Sequence, residues 1–371
     1  YNRYRILLDM IKEIAMKLFE FYKGKKVFVT GHTGFKGAWL CFILKKLGAS
    51  VSGYALEPPT EPALFNIANI VGGTNSFIAD VRDYESLYNA INRVKPDVLL
   101  HLAAQPIVRA SYENPRYTFD TNVMGTVNVL ECARSIRTIK SIINITTDKV
   151  YENKEWEWGY REKDRLGGYD PYSNSKSCSE LITNSYRNSF FNDKDISVST
   201  VRAGNVIGGG DFAKDRIIPD CIRAALQKRE LVVRNPLSTR PYQHVIEPLI
   251  AYLTIAMAQW ENPEVAGAYN VGPNDSDCYS TGELVSLFKE KWGNDFKYIY
   301  KCDNGPHEAN FLKLDCSKIR SVFGICPRWS LKEAVSKTIE WTKGWVDGAD
   351  VLEIMDLQID DYFSKLKDVF Y

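Results

Sequence analysis

Lys25-Lys26-Val27-Phe28-Val29-Thr30-Gly31-His32-Thr33-Gly34-Phe35-Lys36-Gly37 holds the transition on which the fold turns: a short apolar run, a glycine-rich turn and then the apolar stretch Ala38 to Leu47. An apolar run of this length ended by glycine suits a strand buried on both faces of a parallel sheet. The stretch after it is long enough for a helix lying against that sheet. Glycine permits the tight turn and lets the backbone approach a pyrophosphate, whose charge is favoured by the N-terminus of the following helix. The spacing is GxxGxxG, which in a strand-turn-helix context marks Gly31, Thr33, Gly34, Phe35, Lys36 and Gly37 as candidate dinucleotide contacts.

Outward from this unit the pattern repeats. Strands are expected at Ala49 to Tyr54, Phe77 to Asp80, Val98 to Leu102, Ser141 to Thr146 and Val198 to Ala203, with helices at Tyr84 to Val94, Asn114 to Arg134 and Pro171 to Tyr186. Strands alternating with helices at this spacing predict an α/β fold built on a doubly wound, Rossmann-like parallel sheet. Beyond about residue 204 the alternation loosens, with glycine and proline clustering and helices at Arg216 to Lys228 and Thr281 to Lys291. The reading is a lead-in helix (1–24, periodic from Leu7 to Phe21), a dinucleotide-binding domain (25–203 plus about 241–273), and a smaller, mostly C-terminal substrate-binding region (about 204–240 plus 274–371).

The 371 residues carry 47 Lys+Arg against 46 Asp+Glu, a formal net charge of +1. Such a balance argues against nucleic acid or an anionic membrane as partner, and 45% hydrophobic with 25% charged residues excludes a disordered chain. No apolar run reaches transmembrane length. Leu7-Leu8 and Ile14-Ala15-Met16 are broken by charges, so no signal-peptide core is expected, and a first residue Tyr1 suggests processing, truncation or extension upstream. The eight cysteines include no CxxC pair. They read as small buried hydrophobes in a reducing cytoplasm, and no metal site is expected.

Tyr172-Ser173-Asn174-Ser175-Lys176 is a YxxxK segment. Positions four apart share a helix face, so phenol and ammonium point into one site, and Lys176 is expected to lower the Tyr172 pKa and make it a general base. Thr147, Asp148 and Lys149 terminate the strand ending near Thr146, where parallel sheets bind ligands. Asp80 and Val81 at the third strand end, and Leu102, Ala103 and Ala104 at the fourth, are candidate cofactor contacts. Ala55-Leu56 stand where an acidic ribose ligand would fall, with Glu57 just beyond. No arginine follows to meet a 2′-phosphate, although Lys36 is near, and the reading favours NAD over NADP.

GHTGFKG, HLAAQP (His101 to Pro106), TTDK (Thr146 to Lys149) and YSNSK occur in one order, and with them the chain resembles the extended short-chain dehydrogenase/reductases that act on sugar nucleotides. NKEWEWGYRE (Asn153 to Glu162), GGYDPYSNSK (Gly167 to Lys176), RAGNVIGGGD (Arg202 to Asp211) and HEANFLKLDCSK (His307 to Lys318) narrow the resemblance to the nucleotide-sugar 4,6-dehydratases, from about residue 23 almost to the C-terminus. That resemblance implies NAD-dependent 4,6-dehydration of CDP-glucose. Tyr172, helped by Thr147, is the base at O4; Asp148 the acid for the leaving 6-hydroxyl; Lys149 either the C5 base or a positioning group; and Lys176 a holder of the nicotinamide ribose. Gln105, Arg109, Asn205, Arg234, Arg240, Asn270, His307 and Glu308 are the implied substrate contacts, with Ser111 and Asn122 lining the cofactor or sugar end. Relatives pair through the helices holding Asn114 to Arg134 and Pro171 to Tyr186, implying a homodimer or homotetramer. A nucleotide-sugar epimerase shares the glycine loop, Tyr172 and Lys176 but has no use for the pair Asp148-Lys149. A non-catalytic NAD-binding regulator on the same fold would have no need of Tyr172 or Lys176.

Overall fold

A computed structural model describes residues 15–70, 72–192, 195–301 and 310–364. Seven strands form the central sheet: β1 (Lys26–Thr30), β2 (Ser50–Ala55), β3 (Asn75–Ile78), β4 (Val98–His101), β5 (Ser141–Ile145), β6 (Ser197–Ala203) and β7 (Ala268–Val271). Their order is β7-β6-β5-β4-β1-β2-β3, and every neighbouring pair is parallel. The chain winds one way from β1 to β3 and the other way from β4 onward. The order therefore reverses between β1 and β4, and the crevice at their carboxyl ends is where such a sheet binds ligands.

Helices cover both faces. On one lie α1 (Phe35–Lys46), the helix at 15–22 and a long helix Ile246–Glu261, packed over Val27, Val29, Ile143 and Val201. On the other, α2 (Tyr84–Val94) and α3 (Gly125–Ser135) close over Phe28, Leu99, Ile142 and Val198. The lead-in helix buries Leu18 and Tyr22, and its expected start at Leu7 lies outside the described residues. α3 continues a helical run from Pro115 through a widened turn at Asp120–Met124.

The YxxxK segment sits in α4 (Pro171–Tyr186), whose bounds follow from its start: the Asp170 carboxylate accepts from the Ser173 N–H at 2.9 Å, and Pro171 fills the first helical position. A smaller core gathers α5 (Ile217–Leu226), α7 (Thr281–Trp292) and α8 (Leu331–Val346), with α6 denoting the buried Ile246–Glu261 helix and α9 the last, Val351–Ser364. α6 was not expected as a helix. Apolar all round, it carries no amphipathic stripe to announce it.

Strand ends differ from expectation by one or two residues: β3 stops at Ile78, β4 at His101 and β5 at Ile145. Asp80, Leu102 and Thr146 are thus loop residues at the mouth of the sheet. Cys326 is exposed, and Cys178 and Cys278 are half-buried, whereas Cys41, Cys132, Cys221 and Cys316 fit the expected small buried hydrophobes. Among the described residues no helix is long and apolar enough to cross a membrane.

Candidate active site

Two of the loop glycines are demanded by packing and one leaves space. A Cβ on Gly31, whose φ is +76°, would stand 2.8 Å from the Ala103 nitrogen, and one on Gly37 would stand 2.1 Å from the Gly31 carbonyl oxygen. A Cβ on Gly34 would meet only that oxygen, at 3.5 Å. Gly34 is also the N-cap of α1 and offers no side-chain acceptor, so the first-turn N–H groups face an open mouth where an anion satisfies them. This cradle fits the pyrophosphate of a dinucleotide. Around it, the Thr33 hydroxyl donates to the Leu56 carbonyl at 2.9 Å, and the Leu102 and Ala103 N–H groups both donate to Thr30 Oγ1 at 3.1 Å. Phe35 and Ala104 are half-buried beside them, while Val81 is buried.

Lys36 reaches to α6 and is committed there, not to a 2′-phosphate. Its ammonium donates to the Tyr252 hydroxyl on α6 at 2.8 Å, within reach of the charges of Lys176 and Asp148. Burial, with the charges of Arg216 and Lys176 adding to it and Asp148 opposing, lowers its pKa to about 7. Asp80 is also committed elsewhere: Arg82 holds its carboxylate through Nε at 3.0 and 3.1 Å and Nη2 at 2.6 Å.

After β5 the chain makes a tight turn over Asp148–Val150. Ser177 on α4 donates to the Val150 carbonyl at 2.7 Å, and the Gly167 N–H donates to it at 2.9 Å, so the turn is pinned to the helix that carries Tyr172. Thr147 Oγ1 donates to Asp148 Oδ1 at 2.8 Å. Asp148 Oδ2 is buried and has no hydrogen-bond partner among the described residues. Burial raises the Asp148 pKa, while Lys149, the Thr147 hydroxyl and Arg240 pull it down without cancelling the rise. The result is a carboxyl that keeps its proton further up the pH scale than an exposed one, with one oxygen free to face a ligand.

The Thr147 hydroxyl is close enough to the Tyr172 phenol to act on its titration, so the phenol and the turn do meet. The expected lowering of its pKa is overturned: burial pushes the phenol up to about 12, with Thr147 and Arg216 opposing and Asp148 adding to the rise. Lys176 does not deliver its charge to the phenol, because its ammonium donates to the Ile145 carbonyl at 3.1 Å. Burial lowers its own pKa to about 8, against the raising influence of Glu180.

The implied substrate contacts divide. Arg240 is buried on a two-residue strand, donates to the Thr239 carbonyl at 3.0 Å and acts on Asp148. Arg234 and Arg109 both approach the Asp215 carboxylate, at 3.2 and 3.9 Å. Asn205 is half-buried, its carbonyl accepting from the Gln243 N–H at 3.0 Å. Two expectations are corrected. The Gln105 amide is used within its own loop, donating to Thr118 Oγ1 and accepting from the Ile107 N–H. The Asn270 side chain accepts from Tyr151 OH at 2.6 Å and donates to the Tyr160 and Asp315 carbonyls. Both amides are spent on the fold, as are Ser111, which donates to the Val108 carbonyl, and Asn122, which bridges Gln105 and Ser175. His307 and Glu308 lie outside the described residues.

Arg216 and Tyr252 were missed. Arg216 pairs with Asp211 at 3.0 Å and turns its charge toward Tyr172 and Lys36, but no local spacing announces a pair closed across an irregular loop. A tyrosine inside the mostly apolar α6 was a usable signal, since a buried hydroxyl calls for a partner.

Arg240→Ala removes a buried guanidinium from the site. It is expected to raise the KM for the nucleotide sugar that the resemblance implies about 30-fold, the scale of one charge-assisted contact, while kcat changes little. Steady-state kinetics check this, and an unchanged KM removes Arg240 from the site.

Residues 28–338 match the family model described as GDP-mannose 4,6 dehydratase. The chain is 48% identical over 350 residues to the CDP-glucose 4,6-dehydratase of Salmonella typhimurium, covering 93% of this chain and 98% of that one. Among solved structures, the dTDP-glucose 4,6-dehydratase of Bacillus anthracis in complex with NAD superposes with a TM-score of 0.73 at 21% identity, over 89% of this chain and 100% of that one. The UDP-glucose-4-epimerase of Stenotrophomonas maltophila with bound NAD superposes with a TM-score of 0.78 at 20% identity, over 88% and 100%.

Proposed function

The chain belongs to the GDP-mannose 4,6-dehydratase family, and from that membership we infer that it catalyses the NAD-dependent 4,6-dehydration of CDP-glucose to CDP-4-dehydro-6-deoxyglucose. The observation that carries this reading is the buried carboxyl of Asp148, held by Thr147 with its second oxygen unpartnered, beside the phenol of Tyr172. An epimerase has no step for that acid.

The chemistry that bound NAD⁺ would supply is reversible hydride transfer, with the C4 hydrogen taken up and later returned at C6, so that the whole reaction would bring no net redox change. The residues of the glycine cradle, Gly31, Thr33, Gly34, Phe35 and Gly37, would hold its pyrophosphate, and Lys176 its ribose. Lys36 and Asp80 are not assigned to it, because their side chains are committed to Tyr252 and Arg82.

The chain's own residues move the protons. Tyr172 takes the proton from O4 as C4 becomes a carbonyl; the Thr147 hydroxyl orients the phenol. A carbonyl at C4 acidifies the C5 hydrogen, which Lys149 removes, and the C5 electron pair forms the C5–C6 double bond as the C6–O bond breaks. Asp148 protonates the departing hydroxyl, and water leaves; when the hydrogen is returned to C6, Lys149 gives its proton back to C5, which completes the 6-deoxy product. Its buried, proton-retaining carboxyl suits that task, since a general acid must still hold its proton at the working pH. Arg240, with Arg109, Arg234 and Asn205, would hold the nucleotide diphosphate, an anion that guanidinium groups recognise well. The nucleotide-sugar enzyme so described works as a homodimer or homotetramer through the helices of Asn114 to Arg134 and Pro171 to Tyr186, whose outer faces carry exposed Met124 and Leu181.

Product analysis tests the reading. Incubated with NAD⁺ and, in turn, CDP-, dTDP- and UDP-glucose and GDP-mannose, the protein should give an 18-dalton loss with CDP-glucose in preference to the rest. A product of unchanged mass would favour an epimerase. For Lys149, the check is exchange of the C5 hydrogen with solvent deuterium: Lys149→Met should slow it about 100-fold, in the range of a lost general base, and exchange at the wild-type rate would place the base elsewhere.

A further inference from the structure

The carboxyl ends of β5 and β6 carry a buried ion pair that no step above uses. Glu180 on α4 and Arg202 in β6 are 4% and 3% exposed, and Glu180 Oε2 lies 2.8 Å from Arg202 Nη2. The same oxygen accepts from Thr200 Oγ1 at 2.7 Å, and Oε1 accepts from Thr146 Oγ1 at 2.5 Å. Arg202 Nη1 in turn donates to Tyr151 OH at 2.9 Å and to the Glu162 carbonyl at 3.1 Å. Thr146 immediately precedes the catalytic tripeptide, and Tyr151 follows the tight turn Asp148–Val150. The pair therefore grips the turn from both sides.

Stability alone explains it poorly. A buried ion pair commonly contributes no more than well-packed apolar residues of the same volume. The same two strands are already tied at their other ends without charge: Gln259 Nε2 donates to Ser141 Oγ at 2.8 Å and to the Ile142 and Ser197 carbonyls, and its oxygen accepts from Ser199 Oγ at 2.5 Å. A neutral amide suffices there. The buried ion pair stands at the opposite end, with Glu180 one helical turn beyond Lys176 and on the same face of α4. Other charged or titratable groups acting on Lys176 or on this pair include Lys36 from α1, His101 from β4, Arg187 just after α4, Tyr151 and Lys318. His101, held neutral by burial with its pKa lowered to about 3, brings no negative charge, so Glu180 is the carboxylate that balances the Lys176 ammonium.

We propose that Glu180 is a positioning residue for catalysis: it holds Thr146 directly and Tyr151 through Arg202, fixing the turn that presents Thr147, Asp148 and Lys149, and it supplies the counter-charge that keeps Lys176 cationic. The activity arm of this inference rests on the dehydratase reading; the charge arm does not.

Glu180→Gln keeps the size and acceptor capacity but deletes the charge. Titration of the Lys176 side chain by NMR on ¹³C-lysine protein, its resonance identified by its loss in Lys176→Met, should move to lower pH by about one unit, the scale of a lost neighbouring opposite charge. Turnover of CDP-glucose should fall at least tenfold, with KM within about threefold of wild type. Thr146→Val leaves the charge and cuts the link to the turn, so it should lower kcat by a similar factor and leave the Lys176 titration in place; it also serves if the Glu180→Gln chain does not fold. Gln259→Met should lower the melting temperature yet leave kcat and the Lys176 titration unchanged. An unmoved Lys176 titration in Glu180→Gln, or a wild-type kcat in Thr146→Val, overturns the proposal, as does a loss of kcat in Gln259→Met equal to that of Glu180→Gln. A wild-type protein inert toward CDP-glucose would refute the dehydratase reading, and the Lys176 titration would still decide the charge arm.

Discussion

Tyr172→Phe is expected to lower turnover of CDP-glucose by about a thousandfold, the middle to upper range for loss of a positioned general base. The phenyl ring keeps all but the hydroxyl of the side chain, so the melting temperature should stay near that of the wild type while the chemistry fails. The direction of the phenol's pKa sharpens the test. In the protein alone, burial pushes it up to about 12, so at neutral pH the phenol keeps its proton, and the base form grows as pH rises. Activity that depends on the phenolate should therefore climb with pH across the neutral range, and the residual activity of Tyr172→Phe should lose that climb. A variant with near-normal turnover and an unchanged pH profile would remove Tyr172 from the base role.

Asp148→Asn should reduce formation of the 6-deoxy product by about a thousandfold as well, for a different reason. Asparagine keeps the shape of the turn and an acceptor for Thr147 Oγ1, but it has no acidic proton to give the departing hydroxyl. The first step survives and the second stalls, so the 4-keto sugar that still bears its 6-hydroxyl should be detectable by mass spectrometry after rapid quenching. The sign of the pKa shift predicts a matching pH effect. Burial raises the Asp148 pKa, so the acid form persists above the ordinary carboxyl range and is lost as pH rises through the raised value. The wild-type dehydration step should therefore weaken toward high pH, and the Asn variant should show no such limb. An unaltered rate of 6-deoxy product would show that another group protonates O6.

Much of this site was legible because its signals are local. The glycines at 31 and 37 are set by contacts within one strand-turn-helix unit and with the adjacent β4 end, and α4 begins where Asp170-Pro171 says a helix begins. α2 likewise starts at the Asp83 cap, whose carboxylate accepts from the Ser86 N–H at 3.1 Å. What failed was decided by distant partners. Asn270 looked like a substrate ligand until Tyr151, Tyr160 and Asp315 claimed all of its amide, over separations of 119, 110 and 45 residues. Lys36 sits in a phosphate-loop sequence, yet α6 supplies Tyr252 from 216 residues away and turns it toward the catalytic end. The Tyr172-Lys176 spacing correctly put two groups on one helix face, but spacing carries no information on burial. Burial is the largest influence on both pKa values.

The central claim is that one pocket oxidises C4, eliminates water across C5 and C6, and returns the same hydrogen to the same hexose. CDP-glucose labelled with deuterium at C4 tests it in a single incubation with NAD⁺, read by mass spectrometry and proton NMR of the product. The account predicts a CDP-4-dehydro-6-deoxy sugar lighter by the elements of water and carrying the deuterium in its C6 methyl group. A product that keeps its full mass with deuterium still at C4, or one that loses water but has surrendered the label to solvent, would contradict it.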